Sequence, residues 1–266
     1  MFPLALAAGF ALATATPTIV SLIPSLTEDL FAIGAGRQVV GTSQFTDYPP
    51  AAAKLPQIAS SFSLDAERIV ELHPDVVVGI PAQSALVADL RRAGLRVELL
   101  RDDSFGDVFT TLDRLGALAG HRREAGALER ALRARTARLV ESVRPGPKPR
   151  TFVVLGVSPI FTVGDHSYIA QLLSLAGASN ASAIDAPYAR YSAEALVASQ
   201  PDAIVADRQS GLASVLDRPP WNALRAVRER RVYVLNDADI LERPGPRYNQ
   251  GLAWLIRRLH PDAAQR

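Results

Sequence analysis

Residues 66–78, AERIVELHPDVVV, recur without a gap as residues 193–205, AEALVASQPDAIV. The identical pairs, each 127 positions apart, are Ala66/Ala193, Glu67/Glu194, Val70/Val197, Pro74/Pro201, Asp75/Asp202 and Val78/Val205. Each copy predicts a short helix, a Pro-Asp turn and a buried strand. The repeat therefore predicts two α/β lobes of similar build. A partner could bind both lobes in the same way, through equivalent residues.

The composition limits the classes of protein that this chain can belong to. Its 266 residues suffice for two domains of about 100–150 residues each, and 48% of them are apolar. The formal net charge is only +2, and no basic run alternates with aromatic residues, which argues against a nucleic-acid partner. Cysteine is absent, which excludes disulfides, thiolate metal sites and a cysteine nucleophile. For the same reason we expect no lipid anchor on an N-terminal cysteine.

The first 15 residues resemble an export signal. An apolar stretch from Phe2 to Leu12 leads to Ala13-Thr14-Ala15, a cleavage pattern of small residues, so we expect a mature chain that begins at Thr16 in the periplasm. The stretch is too short to span a bilayer, and no membrane span is expected after cleavage. Because no basic residue precedes it, the alternative of a buried first strand or helix stays open.

Alternating strand and helix patterns predict two lobes with mostly parallel sheets. We expect an N-terminal lobe at 16–120, a C-terminal lobe at 146–266 and one long helix at 121–145 that joins them. Residues 122–144 have strong helix propensity, with Leu and Ala spaced by three and four. The proline-rich segment at 145–149 should end this helix sharply.

Capping residues mark several predicted helix starts. Ser25 and Glu28 fit a capping box, in which each side chain bonds the backbone of the other. Asp65 and Ser192 should cap the two repeated helices, and Ser167 another helix in the second lobe. The segment 43–63 is predicted to be a rigid aromatic loop.

Glu67 and Glu194 lie in the first turns of the repeated helices. In open α/β sheets this edge borders the ligand crevice, so both should rim a cleft between the lobes. One interpretation is a carboxylate that favours the helix dipole, worth about 0.3–1 kcal/mol. The other is a pair of anionic contacts for basic sockets on a two-fold partner.

The chain resembles the periplasmic binding proteins of ABC importers that carry cobalamin, ferric siderophores and haem, and most of all the cobalamin-binding ones. The segments that carry the resemblance are IVSLIPSLTEDLFAIGAG, FTDYPP, LDAERIVELHPDVVVG, the single linking helix, PIFTVG, YSAEALVASQPDAIV and PWNALRAVRERRVYVLN. The resemblance implies two α/β lobes bridged by a rigid helix, a shallow cleft and little hinge closure. It also implies that Glu67 and Glu194 dock to arginines of a dimeric permease.

The same resemblance implies which residues face the transported ligand. The positions that match are Phe45, Ser61, Ile80, Phe161, Tyr188, Asp239 and Arg243, with Tyr48, Phe62 and Tyr191 as neighbours. Aromatic faces and a few polar groups suit a large, flat, partly apolar ligand such as a cobalt corrinoid. Some of these residues also have a plainer interpretation. Phe161 could belong to the core, Tyr48 could stiffen a turn before two prolines, and Asp239 with Arg243 could form a surface ion pair.

The chain departs from the cobalamin-binding pattern at three positions. Those proteins have tryptophans where this chain has Ser61, Ile80 and Tyr188. A related corrinoid would fit, and a haem or ferric siderophore is the alternative ligand.

No motif predicts catalysis or a resident cofactor. The sequence has no G-x-x-x-x-G-K-[ST], no G-x-G-x-x-G after a strand and no G-x-S-x-G, so ATP hydrolysis would belong to a separate subunit. No histidines pair at ligand spacing, and we expect no metal site; His166 beside Asp165 is the only candidate axial ligand. We expect a monomeric binding protein, with a two-lobed enzyme or a receptor without transport as the third hypothesis.

Overall fold

The computed structural model describes residues 16–60 and 62–261. The predicted signal segment at 1–15 and the predicted ligand contact Ser61 lie outside the described residues. Within the described part, no helix combines the length and the apolar character needed to cross a membrane.

The N-terminal lobe is built on a five-stranded, fully parallel sheet. Its strands are β1 (Ile19–Ser21), β2 (Val39–Ser43), β3 (Gln57–Ala59), β4 (Val76–Gly79) and β5 (Val97–Leu99), in the order β3-β2-β1-β4-β5. Its helices are α1 (Pro24–Ala32), α2 (Ala66–Glu71), α3 (Ala88–Arg92) and α4 (Phe105–Ala119), with 3-10 turns at Gly36–Gln38, Ala52–Lys54 and Pro81–Gln83. Gly120 ends α4 with a left-handed φ of 77°, which favours glycine. The long helix α5 (Arg122–Glu141) follows at once.

The C-terminal lobe holds a six-stranded mixed sheet. Its strands are β6 (Arg150–Val157), β7 (Ile160–Val163), β8 (Ser179–Asn180), β9 (Tyr188–Arg190), β10 (Ala203–Asp207) and β11 (Val232–Leu235), in the order β11-β10-β6-β7-β9 with β8 also on β6. Its helices are α6 (Tyr168–Leu175), α7 (Ala193–Ser199), α8 (Arg225–Arg228), α9 (Asp239–Glu242) and α10 (Tyr248–Leu259), with 3-10 turns at Leu212–Ser214 and Trp221–Ala223. Strands β7 and β9 run antiparallel to their neighbours. The predicted class of two mostly parallel α/β lobes is confirmed.

One apolar core joins the two lobes. Leu30 of α1, Leu112 of α4 and Leu132 of α5 belong to the same buried cluster as Leu172 of α6 and Leu252 of α10. These helices cover one face of each sheet. Because a packed interior resists shear and separation, this shared core favours a fixed arrangement of the lobes.

The opposite faces of the sheets carry separate, smaller cores. Ile69 of α2 and Leu90 of α3 pack in one cluster with the N-terminal sheet. Leu196 of α7 and Ala226 of α8 pack in another with the C-terminal sheet. The two repeated helices, α2 and α7, therefore lie on the sides of the sheets that face away from the linking helix.

The repeated Pro-Asp turn does the same structural work in both lobes. The Asp75 carboxylate accepts hydrogen bonds from the Thr18 backbone N–H at 2.7 Å and from the Thr18 hydroxyl at 2.9 Å. The Asp202 carboxylate accepts from the Arg150 backbone N–H at 2.8 Å. The aspartate thus fixes the start of a neighbouring strand, β1 beside β4 in the first lobe and β6 beside β10 in the second. This structural role accounts for the aspartate in both copies of the repeat.

Three of the predicted helix caps are confirmed and one is wrong. The side chains of Asp65, Ser167 and Ser192 accept backbone N–H groups in the first turns of α2, α6 and α7. The Ser25–Glu28 capping box is absent, because α1 begins at Pro24 with no side-chain cap. Proline suits this first helical position, since its missing N–H would have no helical partner there. The Glu28 carboxylate instead contacts the other lobe, as described below.

One further local prediction was wrong, and two strands were missed. The segment 43–63 is not a pure loop, since it contains β3. The antiparallel strands β7 and β9 were not predicted, because they are short and do not alternate apolar and polar residues cleanly.

Buried polar contacts tie α5 to α10. The Thr136 hydroxyl lies 2.7 Å from the Tyr248 hydroxyl and 3.0 Å from Asn249 Oδ1. The Asn249 amide donates to the Leu132 carbonyl at 3.1 Å. Between the lobes, the backbone N–H of Phe105 donates to Gln171 Oε1 at 2.9 Å.

We predict that Thr136→Val destabilises the protein by about 1–3 kcal/mol, because it leaves the buried partners of the hydroxyl unsatisfied. Urea unfolding measures the change. Thr110→Val, on the exposed side of α4, makes the same exchange and is expected to change stability by less than about 0.5 kcal/mol. Equal effects of the two substitutions would contradict this role of Thr136.

Candidate functional site

Five aromatic side chains of the described residues are exposed. Their exposed fractions are Phe45 77%, Tyr48 43%, Phe62 90%, Phe161 38% and Tyr188 44%. All five belong to the ligand set predicted from the sequence. Because large apolar side chains are normally buried, these five are candidates for contact with a ligand. Contact with a ligand stays a prediction for each of them.

The first lobe presents its residues at the carboxyl ends of neighbouring parallel strands. Phe45 follows β2, Phe62 follows β3 and Ile80 follows β4. These strand ends meet at one edge of the sheet, where open α/β sheets bind ligands. Ile80 is only half-buried and packs partly against the main core, so its side chain is shared between the interior and this edge.

Phe45 has an unusual backbone conformation. Its φ is 62°, in the left-handed region that bulky residues rarely adopt. Its carbonyl oxygen accepts a hydrogen bond from Nη2 of Arg243, in the other lobe, at 2.9 Å. Strained backbone that is held in place from outside often marks functional sites. The contact holds the backbone from which the exposed Phe45 side chain projects.

The second lobe presents Phe161 and Tyr188 on its antiparallel strands. Phe161 pairs with Gly156, near the carboxyl end of β6, and Tyr188 pairs with Val163. Burial raises the pKa of Tyr188, and the negative charges of nearby carboxylates, first of all Asp102, add to this effect. Since Asp102 belongs to the first lobe, Tyr188 lies where the two lobes face each other. We call the region bordered by Phe45, Asp102 and Tyr188 the interlobe cleft.

A buried ion network joins the two lobes. The Glu28 side chain of the first lobe is 1% exposed and accepts hydrogen bonds from two arginines of the second lobe. Arg247 donates from Nε at 2.7 Å and from Nη2 at 2.9 Å, and Arg243 donates from Nη1 at 2.9 Å. Burial by itself would lower the pKa of Arg247, but the hydrogen bonds and charge of Glu28 outweigh it and raise this pKa.

Arg243 has further partners on both lobes. It lies 3.1 Å from the Asp47 carboxylate of the first lobe and 2.9 Å from the Asp239 carboxylate of the second. The ion pair considered for Asp239 and Arg243 is present, but it is not at the surface, since the arginine side chain is only 14% exposed. The guanidinium N–H groups of Arg243 bond to protein groups of both lobes. Arg243 is therefore an interlobe contact that also holds the Phe45 backbone.

Tyr48 lies on the flank of this network. The Arg247 guanidinium stacks over its ring at 4.2 Å from the ring centre. Tyr48 also lines a cavity of about 360 Å³ between the lobes, together with Phe31 and Pro246. One face of the ring is thus used in packing, and its exposed remainder is what a ligand could contact.

Several carboxyl groups around the cleft have raised pKa values. Desolvation by the surrounding protein raises the pKa of Glu242 to about 7, and the charges of Asp207 and Asp239 contribute. Desolvation likewise raises the pKa of Asp239 to about 6, although Arg243 opposes the shift. Asp102 is also raised to about 6, by desolvation and then by the charge of Asp103. The cleft therefore gains negative charge as pH rises through this range.

Each lobe carries one of the two repeated glutamates at the start of a helix. Glu67 of α2 and Glu194 of α7 are both exposed, each at the second position of its helix. Hydrogen bonds from its own backbone N–H and from Ser192 lower the pKa of Glu194, so it is ionised at neutral pH. Their docking role stays a prediction.

Nothing in the described residues groups three or more side chains that could hold a metal ion. His166 lies with its Nε2 atom 2.7 Å from the Asp185 carboxylate, and both side chains are largely exposed. The histidine considered as an axial ligand is therefore engaged in a surface pair within its own lobe.

Sequence reasoning missed Glu28 as an interlobe contact, Arg247, and the acids Asp102 and Glu242. The first was assigned to a cap, and the others lie in segments without a repeated pattern. A signal for the two acids was available, because the carboxyl ends of parallel strands border ligand sites. Asp102 follows β5, and α9, which ends at Glu242, follows β11.

Two α/β lobes on a shared core, with exposed aromatic side chains on both lobes, fit the architecture of a two-lobed binding protein. The family model described as periplasmic binding protein matches residues 19–238. The chain belongs to this family of periplasmic binding proteins.

Three individual proteins illustrate the likeness. An uncharacterized ABC transporter substrate-binding lipoprotein of Bacillus subtilis, YvrC, is 30% identical over 92% of this chain and 80% of its own length. The vitamin B12-binding protein of Salmonella typhimurium is 31% identical over 88% of this chain and 86% of its own. The structure of the periplasmic heme-binding protein RhuT from Roseiflexus sp. RS-1 superposes with a TM-score of 0.84 and 27% identity, covering 94% and 100% of the two chains.

We predict that Glu28→Gln lowers the free energy of unfolding by about 3–5 kcal/mol, because two buried arginines lose their shared charge partner. Urea unfolding measures the loss. Glu141→Gln, at the exposed end of α5, is the matched control and should be close to neutral. A neutral Glu28→Gln would show that the network contributes nothing to holding the lobes.

We predict that Glu242 contributes a part of the stability that is lost as pH rises from about 5 to about 7.5. The folded-state pKa of about 7 is above the ordinary value of 4.5, so the folded protein binds more protons between these values. The contribution is full below pH 4.5 and is lost as pH rises through 7. In Glu242→Gln the midpoint of urea unfolding should depend less steeply on pH than in the wild type. An unchanged dependence would contradict the raised pKa of Glu242.

Proposed function

We propose that the chain is the periplasmic substrate-binding protein of an ABC importer, which captures cobalamin or a related corrinoid and delivers it to the membrane permease. The observation that carries this proposal is the set of exposed aromatic side chains on both sides of the interlobe cleft. Family membership and the vitamin B12-binding relative support it. The role is binding rather than catalysis, and the corrinoid is cargo rather than a cofactor.

The aromatic rings suit a broad, flat ligand. Rings such as Phe45 and Tyr188 offer large apolar faces and lose little conformational freedom when they stack on a macrocycle. The backbone of Phe45 is already held by its Arg243 contact, so less backbone ordering is needed on binding. Phe62 supplies an aromatic group beside Ser61, where the cobalamin-binding pattern has a tryptophan.

The charges around the cleft favour a corrinoid over haem. Haem carries two propionate carboxylates, which would approach Asp102 and Glu242. Like charges repel strongly in a partly desolvated cleft. The amide groups of a corrin periphery can instead donate to these carboxylates. Arg243 offers no compensating charge, because Glu28, Asp47 and Asp239 already surround it.

Haem or a ferric siderophore is the alternative ligand. The observation in its favour is the close superposition on the heme-binding RhuT, at a level of identity similar to that of the vitamin B12-binding relative. The fold therefore serves both ligand classes, and the side chains of the cleft decide between them.

Delivery needs a contact with the permease. We propose that Glu67 and Glu194 dock to arginines of a dimeric permease, one glutamate for each subunit. Both carboxylates are exposed, lie at equivalent positions of the two lobes and are repeated in sequence. A partner with two-fold symmetry can meet such a pair with two copies of one basic site. The binding protein itself would act as a monomer.

Titration calorimetry with cobinamide and with haem tests the ligand proposal. We expect saturable binding of cobinamide, weakened about 30-fold by Tyr188→Ala, since a well-placed aromatic contact contributes about 2 kcal/mol. Val140→Ala, an exposed apolar site on α5, should bind like the wild type. Binding of haem without binding of any corrinoid would establish the alternative instead.

A further inference from the structure

Two exposed valines occupy the same position in the two copies of the repeat. Val70 is 38% exposed and Val197 is 36% exposed. The residues just before them, Ile69 and Leu196, are 0% exposed and provide the core contact of their helices. The two helices therefore repeat a burial pattern as well as a sequence.

Each valine stands next to the glutamate of its own lobe. Val70 follows Glu67 by three positions, and Val197 follows Glu194 by three. Side chains three apart in a helix are neighbours on one face. Each lobe thus exposes a carboxylate and an apolar group side by side.

A single exposed valine is common and would need no explanation. Two observations set these apart. The described residues contain four exposed valines, Val70, Val140, Val197 and Val234, and two of the four are equivalent by the repeat. Valine is also less favourable in a helix than alanine or a straight polar residue. Helix stability therefore does not explain why both copies have it.

The first lobe adds a groove to this surface. Val70 lines a depression of about 420 Å³ between α2 and α3, together with Ala66, Leu90 and Ala93. Acidic side chains also line this depression. Glu71 and Asp89 pair with Arg68 and Arg92 of their own helices, whereas Glu67 makes no ion pair within the described residues.

We propose that each lobe holds the permease through a two-part contact, the carboxylate of Glu67 or Glu194 and the apolar side chain of Val70 or Val197 beside it. The partner is a permease surface that presents, once per subunit, a basic side chain next to an aliphatic one. This inference rests on the proposed function. The acidic groups match a basic partner in charge, and the valine matches the aliphatic neighbour.

The physical reason for the pairing is the removal of water. An ion pair between exposed side chains contributes little, because water screens it. An apolar contact at its side excludes solvent and strengthens the interaction between the charges. The valines thus raise affinity, while the glutamates set which surface is recognised.

The test uses inner-membrane vesicles of the organism that makes this chain, with the fluorescently labelled mature protein loaded with cobinamide. We expect the double change Val70→Thr and Val197→Thr, which preserves shape, to weaken saturable vesicle binding about tenfold. Val140→Thr makes the same exchange at an equally exposed helical site on α5 and should have no effect. The double change Glu67→Gln and Glu194→Gln should abolish binding.

The outcomes separate this inference from the proposed function. If the glutamate variant fails to bind and the valine variant binds like the wild type, the two-part contact is wrong and carboxylate docking stands. If the wild type shows no saturable binding, both fall. Calorimetry with cobinamide and urea unfolding on each variant must match the wild type, so that lost vesicle binding is a loss of docking. Should Thr disturb the helices, the Val→Ala pair serves the same purpose.

Discussion

The buried carboxylate of Glu28 is the contact on which the arrangement of the two lobes depends. It belongs to the first lobe, and its two arginine partners belong to the second. Such a buried network adds little net stability compared with an apolar contact of the same shape, since desolvation offsets the attraction. Its directional hydrogen bonds instead permit one relative orientation of the lobes. Through Arg243 the same network reaches the Phe45 carbonyl, so it also fixes part of the candidate site.

The shared core and the network make capture an event with little rearrangement. Helices α1, α4, α5, α6 and α10 pack into one cluster that crosses from lobe to lobe. A cleft formed between two such lobes is largely set before the ligand arrives, and binding then costs less ordering. The remaining freedom belongs to side chains at the cleft, such as Phe62, which is 90% exposed.

The sequence predicted much of the fold because the repeat combines several local signals. The caps Asp65 and Ser192, the buried strands and the Pro-Asp turns agree with one another, and each is decided within a few residues. The error at Glu28 has the opposite origin. A serine and a glutamate three positions apart fit a capping box, but the carboxylate has stronger partners in Arg243 and Arg247, more than 200 positions away. The short antiparallel strands β7 and β9 also owe their pairing to the sheet that surrounds them.

The sequence by itself determined two α/β lobes, their linking helix and the equivalence of Glu67 and Glu194, because periodicity, capping and an internal repeat are local properties. It also identified the aromatic residues that the structure leaves exposed. Only the tertiary structure decided which groups meet: that Arg243 bonds both Glu28 and the Phe45 carbonyl, and that the charge of Asp102 in the first lobe acts on Tyr188 in the second. It also decided that Val70 and Val197 remain open to solvent. These facts depend on burial and on distances between segments far apart in the chain, and no local pattern encodes them.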